Sequence, residues 1–403
     1  MSNFAAVRYE VKPWESRLPD DLVSRRLAQR LPRTYQPAIP APIAEAAFVL
    51  PSDLATAAED AARAITHLDE YAGRVLGGQA VAPLGSVLLR SESASSSQIE
   101  NLTVSARQLA VAELGLSVSA NAELVVGNVA AMKASIELAD RLDTSAILAM
   151  HATLLASQPH AGPGVWREVP VWIGSSALSP EGASFVPPAP ERVPACMADL
   201  VAFLGRTDLP AVIHAGVAHA QFETIHPFVD GNGRTGRALL HAMLRAAGII
   251  RQTTVPVSAG LLSDLDSYIA ALTAFRSGDF APIVECLAEA STRATILGRW
   301  LIDELAALTQ ARIESARPRA GSALASLIYQ IAGQPAVTVA SIAATLRVSD
   351  AAARRAVDQA VDAGILNATS DKRRNRVWID RHVIDILNTF AQRAGRRGDG
   401  RAV

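Results

Sequence analysis

The run His226-Pro227-Phe228-Val229-Asp230-Gly231-Asn232-Gly233-Arg234-Thr235-Gly236-Arg237 gathers a base, a carboxylate, a glycine turn and two guanidinium groups in one short segment. Gly231-Asn232-Gly233 is a turn that permits close backbone approach, and it opens into a helical stretch running to Ala247. Successive backbone N–H groups at the positive end of a helix form an anion site. Arg234 and Arg237 share a helix face, where each can grip a phosphate oxygen. Asp230 stands just outside the turn, placed to hold a hard cation such as Mg²⁺ that bridges phosphates. His226 ends the preceding helix, and an imidazole suits the removal of a proton from an incoming hydroxyl. Taken singly these residues say little, because a Gly-Asn-Gly is most often a plain turn and a lone histidine is usually structural. Together they are the parts that phosphoryl-type transfer needs, since its catalysis is mainly positioning and charge stabilisation.

The segment resembles the Fic family signature, His-x-Phe-x-Asp/Glu-Gly-Asn-Gly-Arg-x-x-Arg, with every specified position present. With its surrounding helices the resemblance covers roughly Pro83 to Leu308. It implies that His226 deprotonates a Ser, Thr or Tyr hydroxyl of a target protein, which then attacks the α-phosphate of ATP and retains AMP. It further implies that Asp230 binds Mg²⁺, that Gly231, Asn232 and Gly233 cradle the phosphates, and that Arg237 holds the γ-phosphate. Arg234, with Thr235 and Gly236 beside it, would contact the nucleotide or brace the loop, and Phe228 would anchor the loop in the core. Tyr268 falls where relatives often carry a tyrosine near the nucleotide, and core packing is an equal reading of it. The glycine at 233 favours AMP transfer, because relatives that phosphorylate their targets carry lysine in the turn.

A second short pattern, Ser96-Ser97-Gln98-Ile99-Glu100-Asn101, matches Ser/Thr-x-x-x-Glu-Gly/Asn. In relatives with an inhibitory helix on the N-terminal side, that glutamate pairs with the last arginine of the signature and displaces the γ-phosphate. By position the pair here is Glu100 with Arg237, a carboxylate competing with phosphate for one bidentate donor.

The elements that must position these groups are read from pattern. Ser52–Gly73, Ser96–Leu114, Asn121–Leu142, Thr144–Ser157, Pro190–Gly205, Ala211–Ile225, Asn232–Ala247, Leu262–Phe275 and Phe280–Leu308 have helical spacing. Val169–Ile173 and Ala183–Val186 are β-favouring runs around the turn-rich 174–182, expected to pair as a hairpin. That hairpin matches the family's flap, which aligns a target segment by adding a strand to it. The first fifty residues are Pro-rich and read as an extended arm around one helix near Asp20–Gln29. Ser315–Gly321 is the expected linker.

Beyond the linker, Ala323–Asp380 resembles a winged helix-turn-helix: helices at Ala323–Ala332, Thr338–Leu346 and Asp350–Ala363, then two β pieces within Gly364–Ile379. Lys372, Arg373, Arg374 and Arg376 crowd the tip of the wing, and Arg354 and Arg355 lie on the third helix. From Arg347 onward twelve Lys/Arg face seven Asp/Glu, so this part is locally basic and DNA is one expected partner, with a protein contact as the other. Arg393–Arg401 reads as a basic tail.

A net charge of −1 argues against a protein that coats nucleic acid along its whole surface, and 50% apolar with 19% charged residues describes a globular chain. Cys196 and Cys286 lie too far apart for a disulfide framework or a metal site. No apolar run reaches the length of a membrane span, and no secretion signal is visible, so a cytoplasmic protein is expected. The expectation is a mainly α fold: arm and helices over 1–82, a catalytic region over 83–314 with its inhibitory helix near 96–114, a winged helix over 322–390 and a tail over 391–403. The expected activity is AMP transfer from ATP to a protein, the chain itself included, restrained by Glu100. A nucleotide-sensing DNA-binding regulator, transfer of another phosphate-containing group, and reversal by de-AMPylation stay open. Oligomeric state stays open too, although a homodimer is common in the family.

Overall fold

The structure is a computed structural model and describes residues 4–14, 32–75, 81–116, 119–174, 179–369 and 376–395. The arm consists of four two-residue strands, β1 (Arg8–Tyr9), β2 (Lys12–Pro13), β3 (Thr34–Tyr35) and β4 (Ala38–Ile39), paired antiparallel as β1–β4 and β2–β3. The expected helix near Asp20–Gln29 lies outside the described residues.

Helices follow: α1 (Ser52–Val75), α2 (Val81–Ile99), α3 (Ala106–Ala112), α4 (Ala120–Glu137), α5 (Thr144–Leu154), α6 (Val193–Leu204), α7 (Ala211–Ile225), α8 (Asn232–Ala246), α9 (Val257–Leu262), α10 (Leu265–Arg276) and α11 (Ala281–Ala316). The centre of the molecule is α7, whose residues Ala215 to Ile225 are all buried, and α8, buried from Asn232 to Leu244. A helix buried on every face belongs inside a bundle. Helices α1 and α11 pack against each other and on α7, while α2 lies on α4, α8 and α9. None of the described helices is long and apolar enough to cross a membrane.

Three sequence expectations change. Ser96–Leu114 is not one helix: α2 arrives from Val81 and stops at Ile99, and α3 begins at Ala106. The stop is a Schellman motif. Asn101 adopts φ 61°, its N–H donates to the Gln98 carbonyl at 2.9 Å, and the Leu102 N–H donates to the Ser97 carbonyl at 3.0 Å. The hairpin reduces to a single antiparallel bridge, Ile173 with Phe185, with 175–178 outside the described residues. Finally, α11 runs through the start of the expected linker and ends only where Arg317 turns left-handed at φ 44°.

The C-terminal unit contains α12 (Ala323–Gly333), β5 (Ala336–Val337), α13 (Val339–Leu346), α14 (Asp350–Asp362), β6 (Asn367–Ala368), β7 (Trp378–Ile379) and α15 (Arg381–Ala394), with sheet order β5–β7–β6. Ser349 caps α14 as expected, its hydroxyl accepting from the Ala352 N–H. Strand β5 and helix α15 were not foreseen. The unit has its own core around Leu327, Ile331, Val357 and Trp378. It is also tied to the rest, because Asp380 pairs with Arg312 of α11 in a buried ion pair.

Candidate active site

Helix α7 ends at His226 because Pro227 bars continuation, and His226 takes φ 50° with its N–H donating to the Phe222 carbonyl at 2.8 Å. The loop then closes on itself. The Phe228 N–H donates to Asn232 Oδ1 at 2.8 Å, and Asn232 Nδ2 donates back to the Phe228 carbonyl at 2.9 Å. Phe228 is fully buried and stacks on His151, with centroids 3.5 Å apart. His151 Nδ1 accepts from the Gly164 N–H at 2.9 Å, so Nε2 carries the proton and donates to the Asp230 carbonyl at 3.0 Å. Phe228 thus anchors the loop as expected. Phe228→Ala should cost about 3–5 kcal/mol of stability, read by denaturant unfolding.

Gly231 has φ 76°, and a Cβ there would meet Leu154 Cδ2 at 2.9 Å, so glycine is required for the turn into α8. The first-turn N–H groups of Asn232, Gly233 and Arg234 have no acceptor within the helix. The Asn232 side chain is spent on closing the loop, which leaves its backbone for a ligand. Arg234 is 3% exposed, and its Nε and Nη1 are buried with no partner among the described residues, while Nη2 lies 3.4 Å from Asp230 Oδ1. The Thr235 hydroxyl is likewise buried without a partner. Orphaned donors of this kind, beside a helix N-terminus, form an anion site.

Arg237 is 2% exposed and held along one edge: Nε donates to Ser96 Oγ at 2.8 Å, and Nη2 to the Ser96 carbonyl at 2.8 Å and to Glu100 Oε1 at 2.9 Å. Burial opposes its charge, but Glu100, Tyr268 and Glu223 more than offset it and hold its pKa above the ordinary value. A Cβ on Gly233 would fall 1.9 Å from Glu100 Oε1, so the Glu100 carboxylate lies directly on the first turn of α8. Asn101, the third residue of the pattern, makes no such contact and instead supplies the left-handed turn that ends α2. Glu92 and Ser96 of α2 and Glu100 in the turn just after it follow one another at single-turn spacing, and they meet His241 and Arg237 of α8.

Tyr268 is buried and its hydroxyl lies 2.7 Å from His219 Nε2, which places it inside the bundle behind Arg237. Asp230 is half-exposed and accepts from its neighbour Gly231 N–H at 2.6 Å. No cluster of three or more His, Cys, Asp or Glu that could hold a metal by itself occurs among the described residues.

Sequence reasoning missed four residues here. His151 supports the loop as described. Arg167 donates from Nε to the His226 carbonyl at 2.8 Å and from Nη2 to the Pro188 carbonyl at 2.6 Å, joining the loop to the base of the flap. Glu223 sits 3.9 Å from His226 Nδ1, and burial pushes its pKa up to about 7. Glu92 accepts from the Ser258 N–H at 2.8 Å and lies 2.9 Å from His241 Nε2, pinning α2 to α8 and α9. Charged residues inside apolar helices are the one signal that marks Glu223, and the long-range partners of the other three, 13 residues away at the nearest, cannot be read from spacing.

Burial, reinforced by Arg167 and Arg276, pushes the His226 pKa down to about 3. Burial and then Arg237 push His219 down to about 3, and burial pushes His151 down to about 4. Their folded values lie below the unfolded one, so the stability they lend is present above pH ~6.5 and lost as pH falls through about 4. Glu223 has the opposite sign, and its contribution is lost as pH rises through about 7. The three imidazoles outweigh it, so Tm should fall by roughly 5 °C or more between pH ~7 and ~4. A thermal scan at both pH values checks this, and His219→Gln should blunt the fall.

A family model described as Fic/DOC family matches residues 141–244, which run through α5, the flap segment, the loop and most of α8. The chain carries a Fic domain. Among named relatives of this domain, protein adenylyltransferase fic-1 of Caenorhabditis briggsae is 32% identical over 148 residues, which are 36% of this chain and 26% of that protein. A probable protein adenylyltransferase of Aquifex aeolicus is 38% identical over 89 residues, 21% of this chain and 28% of that protein. The chain therefore spans about a quarter of the length of these two relatives. The crystal structure of a Fic family protein from Desulfovibrio desulfuricans superposes with a TM-score of 0.51 at 22% identity, covering 86% of this chain and 98% of that one. At that identity the likeness establishes a shared helical Fic fold.

Proposed function

We propose that the protein transfers AMP from ATP to a Ser, Thr or Tyr hydroxyl of a protein and that Glu100 restrains this activity. The observation that carries the reading is the anion site itself. Among the described residues Arg234 presents two buried N–H groups without a partner beside the first turn of α8, and the neighbouring Arg237 is held by a carboxylate lying where a phosphate would bind.

In this reading the ATP phosphates sit on the N–H groups of Asn232, Gly233 and Arg234, flanked by Thr235 and Gly236, with Arg234 and Arg237 as cationic clamps. His226 is neutral at physiological pH because burial holds its pKa near 3. Its Nδ1 faces Glu223, which leaves Nε2 to accept the proton of the target hydroxyl. The hydroxyl oxygen bonds to the α-phosphorus, the bond from that phosphorus to the pyrophosphate oxygen breaks, and the hydroxyl proton goes to His226. The orphan donors of Arg234 stabilise charge on the phosphates. Asp230, a single half-exposed carboxylate, would hold Mg²⁺ bound to ATP, which would supply neutralisation of phosphate charge, a fit since Mg²⁺ on a nucleotide takes few protein ligands. Tyr268 acts from behind Arg237 and Asn101 by setting the end of α2.

The test is incubation of the full chain with Mg²⁺, ATP and cell lysate, followed by mass spectrometry for AMP on protein hydroxyls. Adducts that depend on His226 support the reading, and their absence in wild type and in Glu100→Gly contradicts it. The C-terminal unit we read as a winged helix whose exposed Arg354 and Arg355 on α14 meet DNA phosphates. Lys372, Arg373 and Arg374 lie outside the described residues and add nothing to that reading. A duplex shift that weakens steeply with salt is its expected result.

A further inference from the structure

The structure contains a second cavity, away from the loop of His226, between the outer face of α2, helix α3 and the C-terminal unit. Its volume is about 200 Å³. Leu109 of α3 and Phe390 of α15 form its apolar walls. Along one edge stand Ser91 and Ser95, one helical turn apart on α2 and only 7% and 5% exposed. Neither hydroxyl has a hydrogen-bond partner among the described residues. This is not a habit of the helix, because Ser93 and Ser97 donate to the carbonyls of Leu89 at 2.9 Å and of Ser93 at 2.8 Å. The side chains of Gln98 and Asn388, which have no hydrogen-bond partner among the described residues, extend the same edge.

We propose that this cavity binds a small uncharged molecule, an apolar ring bearing one hydrogen-bonding group. The charge follows from Arg90, the charged residue of the lining. Its Nε donates to Glu113 Oε1 at 2.8 Å and its Nη1 to the Gly333 carbonyl, so it has no charge to offer a ligand. An ion would be stripped of water without compensation. The polar group follows from Ser91 and Ser95, which line the cavity and whose hydroxyls have no protein partner among the described residues, so a ligand with one hydrogen-bonding group can meet them. The size follows from the volume: an apolar cavity of about 150 Å³ holds benzene, so this one holds a ring with a few further atoms. The occupant would press on the turn that carries Ser96 and Glu100, because Ser95 precedes Ser96 directly and Leu102 lines the same cavity.

The test is calorimetric titration of the full chain with phenol, benzyl alcohol and indole, with toluene as an apolar comparison. Saturable one-to-one binding of the polar probes is expected, with Kd between about 10 μM and 1 mM for ligands of this size. Ala94→Phe, placed on the cavity-facing side of α2, should abolish binding while the far-UV spectrum stays native. The double variant Ser91→Ala/Ser95→Ala should weaken phenol about tenfold and leave toluene unchanged, a loss of about 1.4 kcal/mol. The proposal is overturned if none of the polar probes saturates up to about 10 mM, or if binding survives Ala94→Phe in a folded protein. If Ala94→Phe does not fold, the double variant decides, and unchanged phenol affinity overturns the proposal.

Discussion

Glu100→Gly should raise AMP transfer by about 10- to 100-fold, the worth of one charge-assisted hydrogen bond of about 1.5–3 kcal/mol. Glu100 is the one carboxylate hydrogen-bonded to Arg237 among the described residues, at 2.9 Å, and it lies on the first turn of α8 where a Cβ on Gly233 would meet it. Removing it opens the anion site and frees one guanidinium edge. The two bonds from Arg237 to Ser96 remain, so the arginine keeps its position. Glu100 is exposed and lies in the turn that ends α2, so the helix itself is little affected, while the buried Arg237 loses the carboxylate that most offsets its burial and some stability with it. Transfer at the wild-type rate, with ATP bound equally well, would show that the carboxylate does not compete with phosphate.

His226→Ala in the Glu100→Gly background should reduce transfer by about 10²- to 10⁴-fold, the usual worth of a general base, while ATP binding changes little. One structural consequence must be separated from the chemical one. His226 has φ 50°, a left-handed conformation that alanine adopts at some cost and asparagine tolerates better. His226→Asn should therefore lose transfer as fully as His226→Ala while keeping a higher Tm. If His226→Asn retained transfer, the imidazole would be excluded as the base.

The loop and its two helices were legible in the sequence because their ends are marked by residues with a single backbone preference. Pro210 precedes α7, Pro227 stops it, and Gly231 takes the left-handed turn into α8. The brake was half legible. Its residue pattern pointed to Ser96 and Glu100, but the helix was drawn forward from Ser96 when it actually runs back to Val81. The serine-rich run Ser91–Ser97 has low helix propensity, yet it is buried against neighbouring helices, and packing overrides propensity. In the flap the two runs do meet antiparallel, through the bridge of Ile173 with Phe185, but among the described residues the pairing is short, and the Val169 carbonyl accepts from Arg167 Nη1 at 3.1 Å instead. Glu223 carried a signal, a charge inside an apolar helix three residues before His226, whereas Arg167 and the Glu92–His241 contact become meaningful only when segments distant in the chain are brought together.

The most direct measurement is incubation of the Glu100→Gly variant with Mg²⁺ and ATP labelled either at the α- or at the γ-phosphate, with lysate as the source of targets. The account predicts protein label from α-labelled ATP and none from γ-labelled ATP, with the α label lost when His226→Ala is added. Label from the γ-position, or an α label indifferent to His226, would contradict it.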